Sequence, residues 1–196
     1  RLDAAAGEAV AARFEKVRDI CWCLKHEVCD NILKTRALAA SGITTCDAII
    51  LLKKINAVFN SLDRLEVRGR DSAGVSILFS LTEKVFDQFT ADLEKSGLGE
   101  ELNQRCQDDI LTHRTIRISR GKGTGTVGLA FVYKYAAEIG RLGDNVRFLR
   151  QAVSKDAVFQ AMLAAAWLDY SISAHTRWAS VGTITAANCH PLDALT

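Results

Sequence analysis

Apolar and polar positions follow a helical period over the first part of the chain. Apolar side chains recur there at alternating spacings of three and four residues, the pattern of an amphipathic α-helix. This stripe consists of Val10, Phe14, Val17, Cys21, Leu24, Val28 and Ile32. Gly42 stands where a C-terminal cap is expected, and Thr44 with Asp47 has the form of a capping box. The sequence therefore predicts two long helices in an antiparallel hairpin.

Helical and strand-like patterns are mixed in the rest of the chain. Short alternating or apolar runs predict strands at 75–81, 114–119 and 170–175. Helical periodicity predicts further helices at 83–96, from residue 100 onwards, and at 129–140, 144–153 and 155–168. Because helices and strands do not alternate with a βαβ period, the pattern favours an α+β fold over a doubly wound sheet.

Composition narrows the class of protein further. The chain has 196 residues, 48% of them hydrophobic, which is enough for one sizeable core. A formal net charge of +2 gives no basic excess for nucleic acid. No apolar run reaches the roughly 18 residues of a membrane span. Six cysteines are too few for a disulfide-built domain, so we expect reduced thiols in the cytoplasm.

Three short patterns could indicate chemistry, and each has a simpler interpretation. The glycines of 123–128 fit G-x-G-x-x-G, but no second parallel strand ending in an acid comes after them, so we expect a turn and no nucleotide cofactor. The cysteines of 21–29 fan out around a helix, which favours buried thiols over a metal site. Cys189 and His190 are adjacent, whereas a catalytic dyad needs side chains that converge from separate elements.

Two longer segments place charged and hydroxyl groups beside glycine at the ends of predicted elements. Residues 65–74 read LEVRGRDSAG, residues 175–182 read HTRWASVG, and 188–191 read NCHP. The chain in these segments resembles the class II glutamine amidotransferases, in particular the glutamine–fructose-6-phosphate aminotransferase family. That family has LEYRGYDSAG, HTRWATHG and NAHP at the corresponding places. The resemblance covers about 43–82 and 140–196.

The resemblance implies a fold, a reaction and partners. The expected fold is that of an N-terminal-nucleophile hydrolase, in which two antiparallel sheets lie between layers of helices. The expected reaction is glutamine hydrolysis by an N-terminal cysteine, whose own α-amino group acts as the base. Ammonia then passes to a sugar-phosphate isomerase domain in the same or a partner chain. No cofactor, metal, nucleic acid or membrane is expected, and a homo-oligomer stays open.

The resemblance also implies site residues. Arg177 would hold the α-carboxylate of glutamine, a role suited to a planar guanidinium with two parallel donors. Trp178 would cover the site, and Ser180 with the backbone of Val181 would contact the same carboxylate. Arg68 and Gly69 would line the surroundings of the nucleophile. The implied substrate-binding set is Arg68, Gly69, Arg177, Trp178, Ser180 and Val181.

The chain departs from the family in ways that bear on activity. Cys46 is neither N-terminal nor followed by the family's Gly-Ile, so we expect the nucleophile on a strand upstream of Arg1. The chain ends at Thr196, before the family's Asn-Gly oxyanion hole and its later Asp, so this polypeptide alone should not hydrolyse glutamine. Val181 replaces a family His and Arg70 a Tyr.

These departures lead to a division of the chain and to an alternative function. We interpret 1–42 as a long helical insertion or arm and 43–196 as a partial amidotransferase domain, with 83–128 as an insertion. The alternative is a catalytically degenerate domain that serves as a ligand-sensing or protein-assembly module, with the helical arm binding a partner.

Overall fold

The computed structural model describes residues 3–40, 45–107, 113–121, 123, 125–136, 141–179 and 182–191. It shows the expected α+β fold, with one four-stranded antiparallel sheet in the order β2-β3-β1-β4. The elements are α1 (Ala4–Trp22), a π-helical segment (Cys23–Cys29), α2 (Asp30–Arg36), α3 (Cys46–Leu65), β1 (Ser72–Thr82), α4 (Glu83–Lys95), α5 (Gly99–Gln107), β2 (Ile116–Arg120), β3 (Thr126–Ala136), α6 (Asp144–Lys155), α7 (Ala157–Leu163), β4 (Asp169–Arg177) and a short 3-10 turn (Ala186–Asn188). None of the helices in these ranges has the length and apolar character needed to span a bilayer.

The core lies on one face of the sheet. Val75, Ile77 and Phe79 of β1 alternate along that face and are fully buried, as the twofold period of a strand requires. Phe131 of β3 stands opposite Ile77, and its ring meets Phe79 edge-on. The helical side of the core comes from α3, α4, α5, α6 and α7, which contribute Leu51, Ile55, Phe59, Phe86, Phe89, Leu102, Leu149, Val153 and Phe159.

The start of α3 differs from the prediction by one residue. Thr45, not Thr44, is the N-cap, and its hydroxyl accepts from the Ala48 N–H. Thr44 and the expected cap Gly42 lie outside the described residues. Helix α2 packs against α3 through amide side chains, because the Asn31 side-chain oxygen accepts from both Asn56 and Asn60. This contact forms the expected helical hairpin.

The N-terminal helical region extends well beyond the part of it that packs against α3. Helix α1, the π-helical segment and α2 succeed one another without a break from Ala4 to Arg36. No residue of α1 or of the π-helical segment is buried. The prediction that the cysteines of this helix are buried is therefore wrong, since Cys21, Cys23 and Cys29 are all exposed. Among the described residues, no three His, Cys, Asp or Glu side chains gather as a metal site would require.

The helix predicted after the glycine-rich turn is also corrected. Residues 129–140 were expected to be helical, whereas residues 126–136 form β3, which pairs with both β1 and β2. The odd-numbered positions from Val127 to Tyr135 are large and apolar or aromatic, and this period of two decides the structure. The G-x-G-x-x-G segment consequently leads from one antiparallel strand to the next. It lacks the strand-to-helix setting of a dinucleotide site.

A buried ionic network links α5, β3 and α7. Arg105 donates two hydrogen bonds to Asp156, from Nη1 at 2.8 Å and from Nη2 at 2.7 Å. The Tyr133 hydroxyl donates to the same carboxylate at 2.7 Å, and Asp156 also caps α7 by accepting from the Phe159 N–H. Burial would raise the pKa of Asp156, but these hydrogen bonds and the Arg105 charge lower it. The carboxylate is therefore ionised although it is fully buried.

His113 lies beside this network on the outer side. Burial, with the nearby charges of Arg114 and Arg105, lowers the pKa of His113 to about 4. Its Nδ1 accepts from the Lys134 N–H at 3.1 Å, which requires the unprotonated ring. The His113 ring is therefore neutral near pH 7.

Candidate functional site

The sheet brings the two sequence motifs together at one end of adjacent strands. The first motif leaves α3 and enters β1, and the second forms the end of β4, so antiparallel pairing places Ser72 opposite Arg177. Asp71 joins the two segments in both directions. Its N–H donates to the Arg177 carbonyl (3.1 Å), and its Oδ2 accepts from the Ala179 N–H (2.7 Å). The motifs, which are about a hundred residues apart in sequence, therefore share one site.

The turn before β1 packs tightly against the second motif at Gly69. A Cβ atom on Gly69 would lie 3.1 Å from both the Arg177 carbonyl carbon and the Thr176 Oγ1. That separation is too close for most side chains, so the glycine permits the approach. Arg68, directly before it, is exposed. The structure thus places Gly69 against Arg177, and Arg68 at the surface of the same turn.

Helix α6 holds the same turn from the other side. Glu66 is fully buried, and its carboxylate accepts from the Gly143 N–H and from the Val146 N–H at 3.2 Å. A carboxylate at a helix N-terminus is stabilised by the free N–H groups and the helix dipole. Asn145 adds a hydrogen bond to the Arg70 carbonyl at 2.8 Å. These contacts fix the backbone of the first motif independently of β4.

The Arg177 guanidinium is held by the loop that comes after β4. Its Nη1 donates to the Asn188 carbonyl at 2.6 Å. Gly182 lies close to its Nη2, 3.7 Å from where a Cβ would stand. Trp178 is 69% exposed and lies at the surface next to the arginine. Ser180 and Val181, the other two expected contacts, lie outside the described residues.

The NCHP segment closes over the sheet beside Arg177. Gly74 permits this, because a Cβ there would overlap the His190 carbonyl oxygen. The rings of His175 and His190 lie 4.6 Å apart between centroids. They border a cleft of about 290 Å³, lined by Ser173, Ala174, His175, His190 and Pro191. Ligand pockets start at roughly 300 Å³, so this volume suits a molecule the size of an amino acid.

The charges around the cleft favour an anionic group. His175 and Arg177 project from the same face of β4, two residues apart. Burial, the His190 ring and the Arg177 guanidinium together lower the pKa of His175, so its imidazole is neutral at pH 7. Arg177 is a permanent cation beside it. A guanidinium next to a neutral ring can bind a carboxylate by charge and by parallel hydrogen bonds.

Neither Cys46 nor Cys189 has the setting of a nucleophile at this cleft. Burial raises the pKa of the Cys189 thiol, which is only 1% exposed and has the Tyr135 carbonyl 3.9 Å from its Sγ. The His190 ring meets His175 instead, so the adjacent side chains do not form a dyad. Cys46 begins α3, and the 20 residues of that helix separate it from the first motif by about 28 Å.

A larger groove lies elsewhere and does not carry the chemistry. It has a volume of about 620 Å³ and runs between α4 and the end of α7, lined mainly by alanine and by side chains such as Val85 and Phe89. Neither motif contributes to it. The smaller cleft combines His175 of the second motif with His190 and Pro191 of the NCHP segment, next to Arg177, and is therefore the candidate site.

Several residues of the site were not singled out by the sequence. Glu66, Asp71 and Gly74 lie within the first motif and Asn188 within the NCHP segment, yet their partners are remote in sequence. The one available signal was their position inside the two motifs. Asp71 lies between Gly69 and Gly74 at the start of a strand. This local sequence does not indicate which backbone N–H the carboxylate will accept from.

Comparisons with known proteins give no independent assignment. No family model matches the chain, and no curated protein or solved structure matches it. The two motifs and the geometry that unites them are therefore the basis for a functional proposal.

Proposed function

We propose that this chain is the glutamine-binding part of a class II amidotransferase domain, similar to the glutaminase domain of the glutamine–fructose-6-phosphate aminotransferases. The observation that carries the proposal is the pairing of β1 with β4, which sets Arg177 against Ser72 and Gly69. Two motifs that are about a hundred residues apart in the sequence meet at one end of adjacent strands. Chance matches to unrelated motifs have no reason to converge in this way.

In the proposed site, Arg177 binds the α-carboxylate of glutamine and Trp178 covers the ligand. The carboxamide then points toward the nucleophile, which in this class of amidotransferases is an N-terminal cysteine. Its thiol attacks the carboxamide carbon, the C–N bond breaks, and ammonia leaves with a proton as a thioester forms. Water hydrolyses the thioester to glutamate. The ammonia is used for amino-sugar synthesis in a sugar-phosphate isomerase domain.

The outer face of the sheet supports the proposed two-sheet architecture. Side chains that point away from the core are mostly small, and those at Ser119, Ser171 and Ser173 are exposed. Leu78, also on this face, is 36% exposed. Small side chains allow a second sheet to approach at the roughly 10 Å spacing of a sandwich. This is the packing that an N-terminal-nucleophile hydrolase requires.

Calorimetric titration of the 196-residue chain tests the role of Arg177. We expect L-glutamine to bind, and Arg177→Ala to weaken binding by about 1.5–3 kcal/mol through loss of charge-assisted hydrogen bonds. A glutamine analogue without the α-carboxylate, 4-aminobutanamide, should bind both proteins equally weakly. In a full gene product that carries the cysteine, the same substitution should raise the KM for glutamine.

Arg147→Ala is the matched control. Arg147 is an exposed arginine of α6 that pairs with Asp144 and belongs to neither motif. Its removal should leave glutamine affinity unchanged. Equal affinities of the wild-type and Arg177→Ala proteins for glutamine would contradict the proposal.

A ligand-sensing or assembly module is the second candidate, and the exposed helical arm favours it. Ammonia release distinguishes the two in the full gene product. Hydrolysis of glutamine supports the enzyme, whereas glutamine binding without hydrolysis supports the module.

A further inference from the structure

Another cleft lies where α5, the end of α6 and the turn before β2 meet, beside the buried Arg105–Asp156 pair. It has a volume of about 450 Å³, which is enough for a small molecule. Hydrogen-bond donors dominate its lining, to which Glu101 adds an acid. These donors are Gln104, Arg105, His113, Arg114 and Lys155. We call this feature the basic cleft.

The bases at the basic cleft outnumber the acids that neutralise them. Asp156 pairs with Arg105 through two hydrogen bonds. Glu101 accepts from the Arg114 Nη2 at 2.6 Å and lies 3.4 Å from the Arg105 Nη1. Lys155 is exposed at the end of α6 and lines the same cleft. Three bases therefore face two acids, and the excess positive charge lies on the Lys155 side.

His113 contributes a donor to the cleft without a charge of its own. Its Nδ1 accepts from the Lys134 N–H, so the hydrogen of the neutral ring is on Nε2. Burial is the largest cause of the lowered pKa of His113. The charges of Arg114 and Arg105 lower this pKa further, each by more than Asp156 raises it. The potential at the ring is therefore positive, which favours an anion nearby.

Arg114 is held in a conformation that is uncommon for its residue type. Its φ of 65° lies in the left-handed region, which residues other than glycine and asparagine seldom adopt. Its carbonyl accepts from the Arg105 Nε at 2.6 Å, which fixes the turn. Its own Nε is shielded from solvent and has no hydrogen-bond partner within the described part of the chain. Strained backbone and unpaired buried donors are typical of binding sites, and an oxyanion would supply the missing acceptors.

A smaller cleft continues the basic cleft along α6. It has a volume of about 250 Å³ and shares His113, Arg114 and Lys155 with its neighbour. Phe148 lines it as well, and the ring of Phe148 stacks on Tyr135 with 4.2 Å between centroids, which fixes its orientation. A ligand that fills both clefts therefore has an anionic part beside Arg114 and Lys155 and an apolar or aromatic part against Phe148.

We propose that the basic cleft binds a phosphomonoester, whose phosphate lies between Arg114 and Lys155 and whose organic group lies against Phe148. The phosphate oxygens can accept from the guanidinium, the ammonium and the His113 Nε2–H at the same time. A carboxylate has only two oxygens and matches this set of donors less well. Because the donors come from α6 and the turn before β2, this site does not depend on glutamine binding at Arg177.

Calorimetric titration of the 196-residue chain at constant ionic strength tests the proposal, with inorganic phosphate and phenyl phosphate as probes. We expect both to bind, and phenyl phosphate to bind about tenfold more tightly because its ring packs on Phe148. Lys155→Gln should weaken both about tenfold by removing a charge-assisted hydrogen bond, and this exposed substitution should not disturb folding. Arg114→Asn should weaken both by at least about as much, since asparagine tolerates the left-handed backbone but carries no charge.

Lys95→Gln is the matched control, because it removes the same charge from an exposed side chain of α4 that pairs with Asp92. Its affinity for both probes should equal that of the wild type. No binding of either probe, or equal weakening by Lys155→Gln and Lys95→Gln, would overturn the proposal. Phenyl phosphate that binds no more tightly than inorganic phosphate would overturn the assignment to a phosphomonoester.

The two proposed sites can be tested separately. Loss of phosphate binding in Arg177→Ala but not in Lys155→Gln would also overturn the proposal, because the anion would then lie at the cleft beside Arg177. L-Glutamine affinity should be unchanged in Lys155→Gln. A chain that binds phenyl phosphate through Lys155 but does not bind glutamine would retain this site and contradict the amidotransferase proposal alone.

Discussion

At the scale of single residues, the candidate site depends on close approaches that glycine allows. Gly74 lies at the centre of the sheet, between β3 and β4, and faces the backbone of His190. The atoms that would obstruct a side chain at this position belong to the main chain and cannot rotate away. The absence of a side chain at Gly74 therefore allows the NCHP segment to lie against the sheet. This position also sets that of the Asn188 carbonyl, which accepts from Arg177.

Gly74→Ala should separate the NCHP segment from the sheet. We expect a loss of about 1–3 kcal/mol in the free energy of unfolding, measured by urea denaturation, as for other overpacked interiors. Glutamine affinity should fall as well, because the cleft beside His175 opens. Gly7→Ala is the control, since a Cβ at Gly7 meets nothing within 4 Å. Unchanged glutamine affinity in Gly74→Ala would show that the NCHP segment does not form the site.

The sequence indicated the parts of the site that local motifs contain and not the contacts that join them. Arg177 and Gly69 were both predicted, and they do lie together. The support from Glu66 could not be predicted, because its partner Gly143 is 77 residues further along the chain. Which helix end a buried acid will meet depends on tertiary packing. No local pattern carries that information.

At the scale of elements, the predicted helices and strands were correct where a single period dominates. The strand β1 and the helix α4 match their patterns closely. The strand β3 was mistaken for a helix because it is rich in apolar residues on both faces, which hides the alternation. The helix expected at 155–168 ends at Leu163, and its start is set by the Asp156 cap. The remaining residues of that range lead into β4.

The Asp156 network gives a pH-dependent prediction. The folded pKa of Asp156 is lowered, so its stabilising contribution is present above the unfolded pKa, near 3.9, and is lost as pH falls through the folded value. At pH 7, Asp156→Asn should cost about 3–5 kcal/mol, because Arg105 is left buried without its partner. The difference between the two proteins in urea denaturation should shrink below pH 4. A constant difference from pH 7 to pH 3 would contradict the assigned ionisation.

At the scale of the whole molecule, the chain consists of a packed α+β body and a helix that projects from it. The two parts meet through α2 and α3, whereas α1 has no buried residue. Local stability should therefore differ strongly along the chain, because buried contacts hold β1 and β3 but not α1.

Hydrogen exchange measured by mass spectrometry should reveal this difference. Amides of Ala4–Trp22 should exchange at least about a hundredfold faster than those of β1. Protection of α1 equal to that of β1 would contradict this expectation.

The Arg105–Asp156–Tyr133 network has a consequence for shortening this protein. Arg105 belongs to 83–128, the segment that the family resemblance leaves unmatched, yet it neutralises an acid carried by α7. Deleting that segment would leave the Asp156 carboxylate in the apolar interior without its partner. It would also expose apolar residues of β1 and β3. A shortened version of the domain would therefore need an uncharged residue in place of Asp156. It would also need polar residues on the newly exposed face of the sheet before residues 83–128 could be removed.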